Sequence, residues 1–210
     1  TEMIVWGGKS VAGGINSTDT GGRYNPMTNS WATTAGGGPS RRWGHAAVWT
    51  GSEMIVWGGA VDATLTATGG RYNPVTNTWG APTNTSGALE RRLEPSAAWS
   101  GSEMIIWGGN FLATGGRYDP VTNTWGAATA TSGAPSFRRG HSSVWTGSEM
   151  IVWGGSGDTL HNTGGRYDPV TNTWGSATST SGAPSSRNKH SAVWTGKAML
   201  VWGGSIAGSV

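Results

Sequence analysis

Three histidines stand at equivalent points of a repeating pattern. His45, His141 and His190 each open a short apolar stretch ending in tryptophan, and Pro95 takes that place in the other copy. Imidazoles at recurring positions can ligate a metal or carry protons. No carboxylate recurs beside them, so their expected role is a structural hydrogen bond, and no metal or other cofactor is assigned. His161 with Asp158 is a weaker pair of the same kind.

Cations form the second constellation. Arg42, Arg92, Arg138 and Arg187 each sit three residues before the apolar stretch, with Arg41, Arg91, Arg139 and Lys189 close by. Only Glu90 and Glu94 oppose them in these segments. The four recurring arginines are expected to hydrogen-bond carbonyls of a neighbouring loop. The four additional cations are expected to form a basic rim that attracts an acidic peptide or an anionic glycan.

Aromatic residues form the third. Thirteen of the 14 tryptophans fall at repeat-equivalent positions, where core packing explains them. Trp43 is out of register, beside Arg41 and Arg42. With Phe111 and Phe137 it is a candidate ligand contact on a variable surface, and the eight cations complete that candidate set.

Other chemistries are excluded or unsupported. The chain has no cysteine, which removes disulfides, thiolate metal sites and cysteine nucleophiles. No carboxylate pair, nucleophile elbow or phosphate loop is present. A net charge of +3 over 210 residues is a faint footprint for a nucleic-acid partner. No apolar run reaches the length of a membrane span. Asn16-Ser-Thr and Asn84-Thr-Ser fit the glycosylation acceptor pattern, which permits a secreted setting.

The elements that must position these residues are short and repeated. Met3, Met54, Met104, Met150 and Met199 follow one another at intervals of 51, 50, 46 and 49 residues. A period of that size signals a solenoid, a propeller or an array. Leu, Ile, Val and Phe number only 28 of 210, a fraction typical of disorder, but the tryptophans supply large apolar surfaces at regular positions. Each repeat holds four segments. The first runs from His45, Pro95, His141 or His190 to Trp49, Trp99, Trp145 or Trp194. The second is Met-Ile-Val-Trp-Gly-Gly, the third Gly-Gly-Arg-Tyr, and the fourth ends at Trp31, Trp79, Trp125 or Trp174.

Turn chemistry links the segments. A Thr/Ser-Gly-Ser turn joins the first to the second, with glycine supplying a positive φ. Asp119-Pro-Val-Thr-Asn123 and its copies from Asn25, Asn73 and Asp168 join the third to the fourth. There the first residue bonds its own downstream backbone, Pro presets φ, and Asn accepts the left-handed exit. Segments of four to six residues rich in Val, Ile, Trp and Tyr predict an all-β chain of four-stranded antiparallel units.

The order Arg-x-x-His, then strand-Gly-Gly, then Tyr-Asp-Pro, then Asn-x-Trp resembles the kelch repeat across essentially the whole chain. The Gly-Gly doublets at 7–8, 58–59, 108–109, 154–155 and 203–204 are part of the match. The resemblance implies a β-propeller whose blades carry strands A, B, C and D, with A innermost. The expected blade units are 1–40, 41–89, 90–136, 137–185 and a partial 186–210. Strand bookkeeping yields B-C-D, three full blades and a final A-B. The expectation is therefore an arc of a longer ring, or a ring closed by self-association with a second copy.

The A–B and C–D turns are nearly identical between repeats, whereas the B–C and D–A loops vary. Variable loops on a rigid scaffold are where binding is carried. The reading is a non-catalytic module that recognises a protein or glycan through the B–C and D–A face. One alternative is a structural subunit of a surface assembly. The other is a propeller enzyme with dispersed carboxylates such as Asp19, Asp62, Asp158, Glu90 and Glu94. The repeat style resembles bacterial extracellular kelch-like repeats, which implies an extracellular or cell-surface location.

Overall fold

The computed structural model describes residues 2–10 and 16–206. The side chain of Asn16, which opens one acceptor triplet, lies outside the described residues. The chain forms two compact units, one of residues 1–85 with 90–93 and the other of 86–89 with 94–210.

The first unit holds two blades. In the first, β1 (Met3–Trp6), β4 (Gly21–Asn25) and β5 (Ser30–Thr33) pair in that order, and β2 (Lys9–Ser10) and β3 (Asn16–Ser17) form a hairpin inside the B–C loop. In the second, β6 (Ala46–Trp49), β7 (Met54–Trp57), β10 (Gly69–Asn73) and β11 (Thr78–Trp79) make a four-stranded meander. Its B–C loop carries a second hairpin, β8 (Ala60–Val61) with β9 (Thr64–Leu65).

The second unit repeats the plan. The third blade is β12 (Ser96–Trp99), β13 (Met104–Trp107), β14 (Gly115–Asp119) and β15 (Thr124–Trp125). The fourth is β16 (Ser142–Trp145), β17 (Met150–Trp153), β18 (Gly164–Asp168) and β19 (Thr173–Trp174). A hairpin of β21 (Ser191–Trp194) and β22 (Met199–Trp202) follows, flanked by a short ladder of β20 (Arg187–Asn188) with β23 (Ser205–Ile206). All pairings are antiparallel, and no helix occurs among the described residues.

The B strands are apolar at every position, and in the second and third blades both of their faces are covered. Ile55, Val56 and Trp57 are fully buried, as are Ile105, Ile106 and Trp107. The A strands begin one residue later than the sequence pattern suggests, at Ala46, Ser96, Ser142 and Ser191. The reason lies just before the histidine or proline. Gly44, Glu94, Gly140 and Lys189 adopt positive φ, which bends the backbone into the strand.

The turns behave as their residues require. Asp119 Oδ1 accepts the Val121 amide at 2.7 Å, and Asn25, Asn73 and Asp168 repeat that bond. Asn29, Asn77, Asn123 and Asn172 are left-handed, and each accepts a tyrosine hydroxyl from strand C.

Within each unit, blades meet through one repeated contact. Trp107 of β13 takes the edges of His141 and Trp174 from the next blade, at ring separations of 5.3 and 5.2 Å. Trp6 takes His45 and Trp79 in the same way, and Trp153 takes His190. The imidazole rests on the first glycine of the Gly-Gly doublet. A Cβ on Gly108 would fall 2.5 Å from His141 Cε1, and one on Gly154 as close to His190. This close approach, with positive φ, is why the position is glycine.

Candidate functional site

The recurring arginine organises the base of the loop face. Arg42 Nη1 donates to the carbonyls of Gly58 and Thr68 at 3.0 and 2.6 Å, and its Nε donates to Ser40. Arg138 repeats this on Ser136, Gly154 and Thr163. Arg42, Arg92 and Arg138 are almost completely buried, and burial pulls their guanidinium pKa down to about 10. Arg187, less covered, bonds Ser185 and Gly203.

The tie differs from the one the sequence suggests. The side chain of Arg42 or Arg138 locks the B–C loop of its own blade, while the residue's carbonyl takes the amide of a doublet glycine from the preceding blade. The arginines that tie blade to blade through their side chains are those of strand C instead. Arg23 Nη1 donates to Pro74 O at 2.6 Å while facing Glu2, and Arg117 reaches Pro169 O while facing Glu103. Arg42, Arg92 and Arg138 are thus spent on the scaffold and do not reach the surface as ligand contacts.

Above this base, the lead-in to strand A is zipped to the B–C loop of its own blade. The backbones of Trp43 and Ala60 exchange both hydrogen bonds, and those of Arg139 and Ser156 do the same. Side chains on the two loops are therefore held at fixed positions on one surface.

In the first unit that surface gathers around Asp62. Arg41 Nη2 lies 2.7 Å from Asp62 Oδ2, Trp43 Nε1 donates to Asp62 O, and Lys9 Nζ stands 4.9 Å from the Trp43 ring centre. Ser17 Oγ donates to the same carboxylate from the preceding blade. Arg41 is exposed but paired, and Trp43 is half-buried.

In the second unit the surface is aromatic. Phe111, on the B–C loop of the third blade, stands edge to face with Phe137 of the next D–A loop at 6.3 Å. The Arg139 guanidinium carbon lies 4.5 Å from the Phe111 ring centre. Phe111 is 41% exposed although it is stacked. It and Asn110 both occupy left-handed backbone, with φ of 58° and 46°. For a bulky residue that conformation is a strained outlier, of the kind that clusters at binding sites.

The expected rim of free positive charge is only partly present. Lys189 Nζ pairs with Glu94 at 3.1 Å, and Arg92 faces Glu90 at 3.9 Å. The Lys189–Glu94 pair caps a backbone row in which Gly140 N donates to Glu94 O and Lys189 N donates to Gly140 O. Arg91 is exposed, with no ion-pair partner among the described residues.

The sequence groups Trp43, Phe111 and Phe137 as aromatics of the variable surface and places Arg139 among the additional cations beside the recurring arginines. That Arg139 stacks on Phe111 beside Phe137, and that Lys189 pairs with Glu94, are contacts between distant segments that the sequence does not show. The threonine preceding each strand-C doublet (Thr20, Thr68, Thr114, Thr163) was the available signal for the arginine network, since two of these bind it directly.

The histidines belong to the scaffold. Ser96 Oγ and His141 Nε2 are 2.8 Å apart, and Ser142 repeats this with His190. His161 is held through its backbone to Gly155 and Arg187.

The family model of the KLHDC2/KLHL20/DRC7 Kelch-repeats domain matches residues 1–204. The chain belongs to the kelch-repeat family. No curated protein matches it. Kelch repeat domains generally mediate protein–protein binding and are typically non-enzymatic interaction modules. No helix among the described residues of this kelch chain is long and apolar enough to cross a membrane.

Proposed function

We propose that this kelch chain binds an acidic protein segment through its B–C and D–A loops, with Phe111 as the apolar anchor and Arg139 as the cation beside it. The observation that carries this reading is Phe111 itself. It is exposed in strained left-handed backbone, yet held in place by Phe137 and Arg139. Aromatic and arginine side chains dominate the energetics of protein interfaces. An aromatic ring already ordered before binding loses little conformational freedom on contact. Arg139 supplies the charge that steers and pairs a carboxylate. Arg41 and Trp43 extend the reading to the first unit, where Asp62 holds them.

The test is selection of displayed peptides on the intact chain, with counter-selection on the Phe111→Ala/Arg139→Ala variant. Enrichment of sequences with Asp or Glu beside an apolar residue supports the proposal. Enrichment of peptides that bind both proteins equally rejects it. A glycan array run in parallel reads the carbohydrate alternative directly.

A further inference from the structure

Phe111 leans on Phe137, so whatever fixes Phe137 also governs the anchor. Phe137 meets the B–C loop of the fourth blade at Gly157. A Cβ built on Gly157 would fall 2.6 Å from the Phe137 carbonyl oxygen, 3.4 Å from its ring and 2.8 Å from His161 Nε2. The imidazole of His161 and the ring of Phe137 therefore converge on one glycine, where a larger residue does not fit.

His161 is held firmly on the backbone side. Its amide donates to Gly155 O and its carbonyl accepts the Arg187 amide, while Arg138 ties the base of the same loop. Its Nε2 is buried and has no hydrogen-bond partner among the described residues. A neutral imidazole tolerates that seat, whereas a charged one would be a desolvated cation with an unmet donor. Burial first, and then the charge of Arg138, hold the ring below the ordinary histidine range. Asp158, exposed in the same loop, favours the charged form. The other nearby cations are engaged elsewhere, Arg187 on Ser185 and Gly203 and Arg139 on the Phe111 ring.

We infer that His161 is a positioning residue for the Phe111 anchor, holding Phe137 in place while neutral and releasing it when protonated. Its effect on binding rests on the loop-face reading above, whereas its effect on the two rings does not. The proton comes from solvent and lands on Nε2. The charged ring then leaves its desolvated seat for the carboxylate of Asp158, and Phe137 loses a neighbour. Phe111, kept in left-handed backbone by Phe137 and Arg139, relaxes in turn. The acidic segment is thus gripped near neutral pH and let go on acidification.

Phe111 and Phe137 are the two phenylalanines of the chain, so fluorophenylalanine labelling yields two fluorine NMR signals, both from this cluster. The whole chain is titrated from about pH 7.5 to about 4.5, with circular dichroism confirming the fold at each step. Both signals are expected to move together with one midpoint below about 6.5, the ordinary histidine value. The change should vanish in His161→Gln and shift to lower pH in Asp158→Asn, an exposed substitution that leaves the fold intact. Signals that stay constant in the folded wild type overturn the inference, and so does an unchanged response in His161→Gln. The same titration is then repeated by calorimetry with an acidic peptide selected on the intact chain. Half of the anchors are displaced at the midpoint, so apparent affinity should fall about twofold there and further below it, and not in His161→Gln. Equal pH dependence in the two proteins overturns the control of binding. The ring signals need no peptide, so a failure of the loop-face reading is read separately from a failure of His161.

Discussion

Ser96 Oγ and His141 Nε2 stand 2.8 Å apart in the interior, joining the innermost strands of two adjacent blades. Burial, reinforced by the charge of Arg138, pushes the His141 imidazole down to about 3. Burial and Arg42 push His45 down to about 4, and His190 is lowered for the same reasons, burial first and then Arg187. Each ring is therefore neutral at pH 7 in the folded chain. An unfolded histidine titrates near 6.5, so below that pH the unfolded state binds more protons. The stability these rings contribute is complete above pH 6.5 and drains as pH falls toward 4. The unfolding free energy from urea titration should be flat from pH 7 to 8 and fall below 6.5, by up to about 1.4 kcal/mol per pH unit for each histidine, with the midpoint falling in step. A midpoint constant between pH 6.5 and 4.5 would contradict this.

The glycine beneath each imidazole gives a second prediction. Gly154→Ala places a Cβ 2.5 Å from His190 Cε1 and forces alanine to φ +72°. It should cost about 2–4 kcal/mol, combining overpacking with backbone strain. Gly36→Ala, where nothing lies within 4 Å and φ is not positive, should change stability by less than about 0.5 kcal/mol. Urea unfolding of the two variants checks the contrast.

Adjacent arginines should separate fold from function. Arg138 is buried, with its fork on the Gly154 and Thr163 carbonyls, so Arg138→Lys removes geometry that an ammonium does not supply. A loss of about 2–4 kcal/mol is expected. Arg139→Ala removes a half-buried cation stacked on Phe111 and should cost less than about 1 kcal/mol. Thermal melts of both variants decide this.

Phe111 is expected to trade stability for binding. Phe111→Gly relieves a left-handed phenylalanine and should stabilise the chain by about 1 kcal/mol, while removing the aromatic anchor. A higher melting temperature with weaker peptide binding is the predicted pair of results. A lower melting temperature would show that the loop conformation is not strained.

Local chemistry was readable in the sequence, and long-range pairing was not. Asp119 and Asn123 declare their turn because the bonds they make span only a few residues. The methionine period and the Gly-Gly doublets gave the blades for the same reason, since each unit repeats its own pattern. The destination of Arg138 depends on which loop lies beneath it, and the sequence pattern suits a loop of its own blade as well as a neighbour's. Likewise Lys189 meets Glu94 across two blades, so charge counting overstated the free cations of the rim. The Phe111–Phe137–Arg139 cluster joins two loops whose length and content differ from repeat to repeat, so periodicity carries no information about it.

The most direct measurement is isothermal titration of the tightest selected acidic peptide into wild type and into the Phe111→Ala/Arg139→Ala variant, with circular dichroism confirming the fold of both. The predicted result is binding to wild type that weakens at least about tenfold in the variant, the scale of a lost hot spot. Equal affinity for a correctly folded variant would place the binding surface elsewhere and contradict the assignment of the loop face.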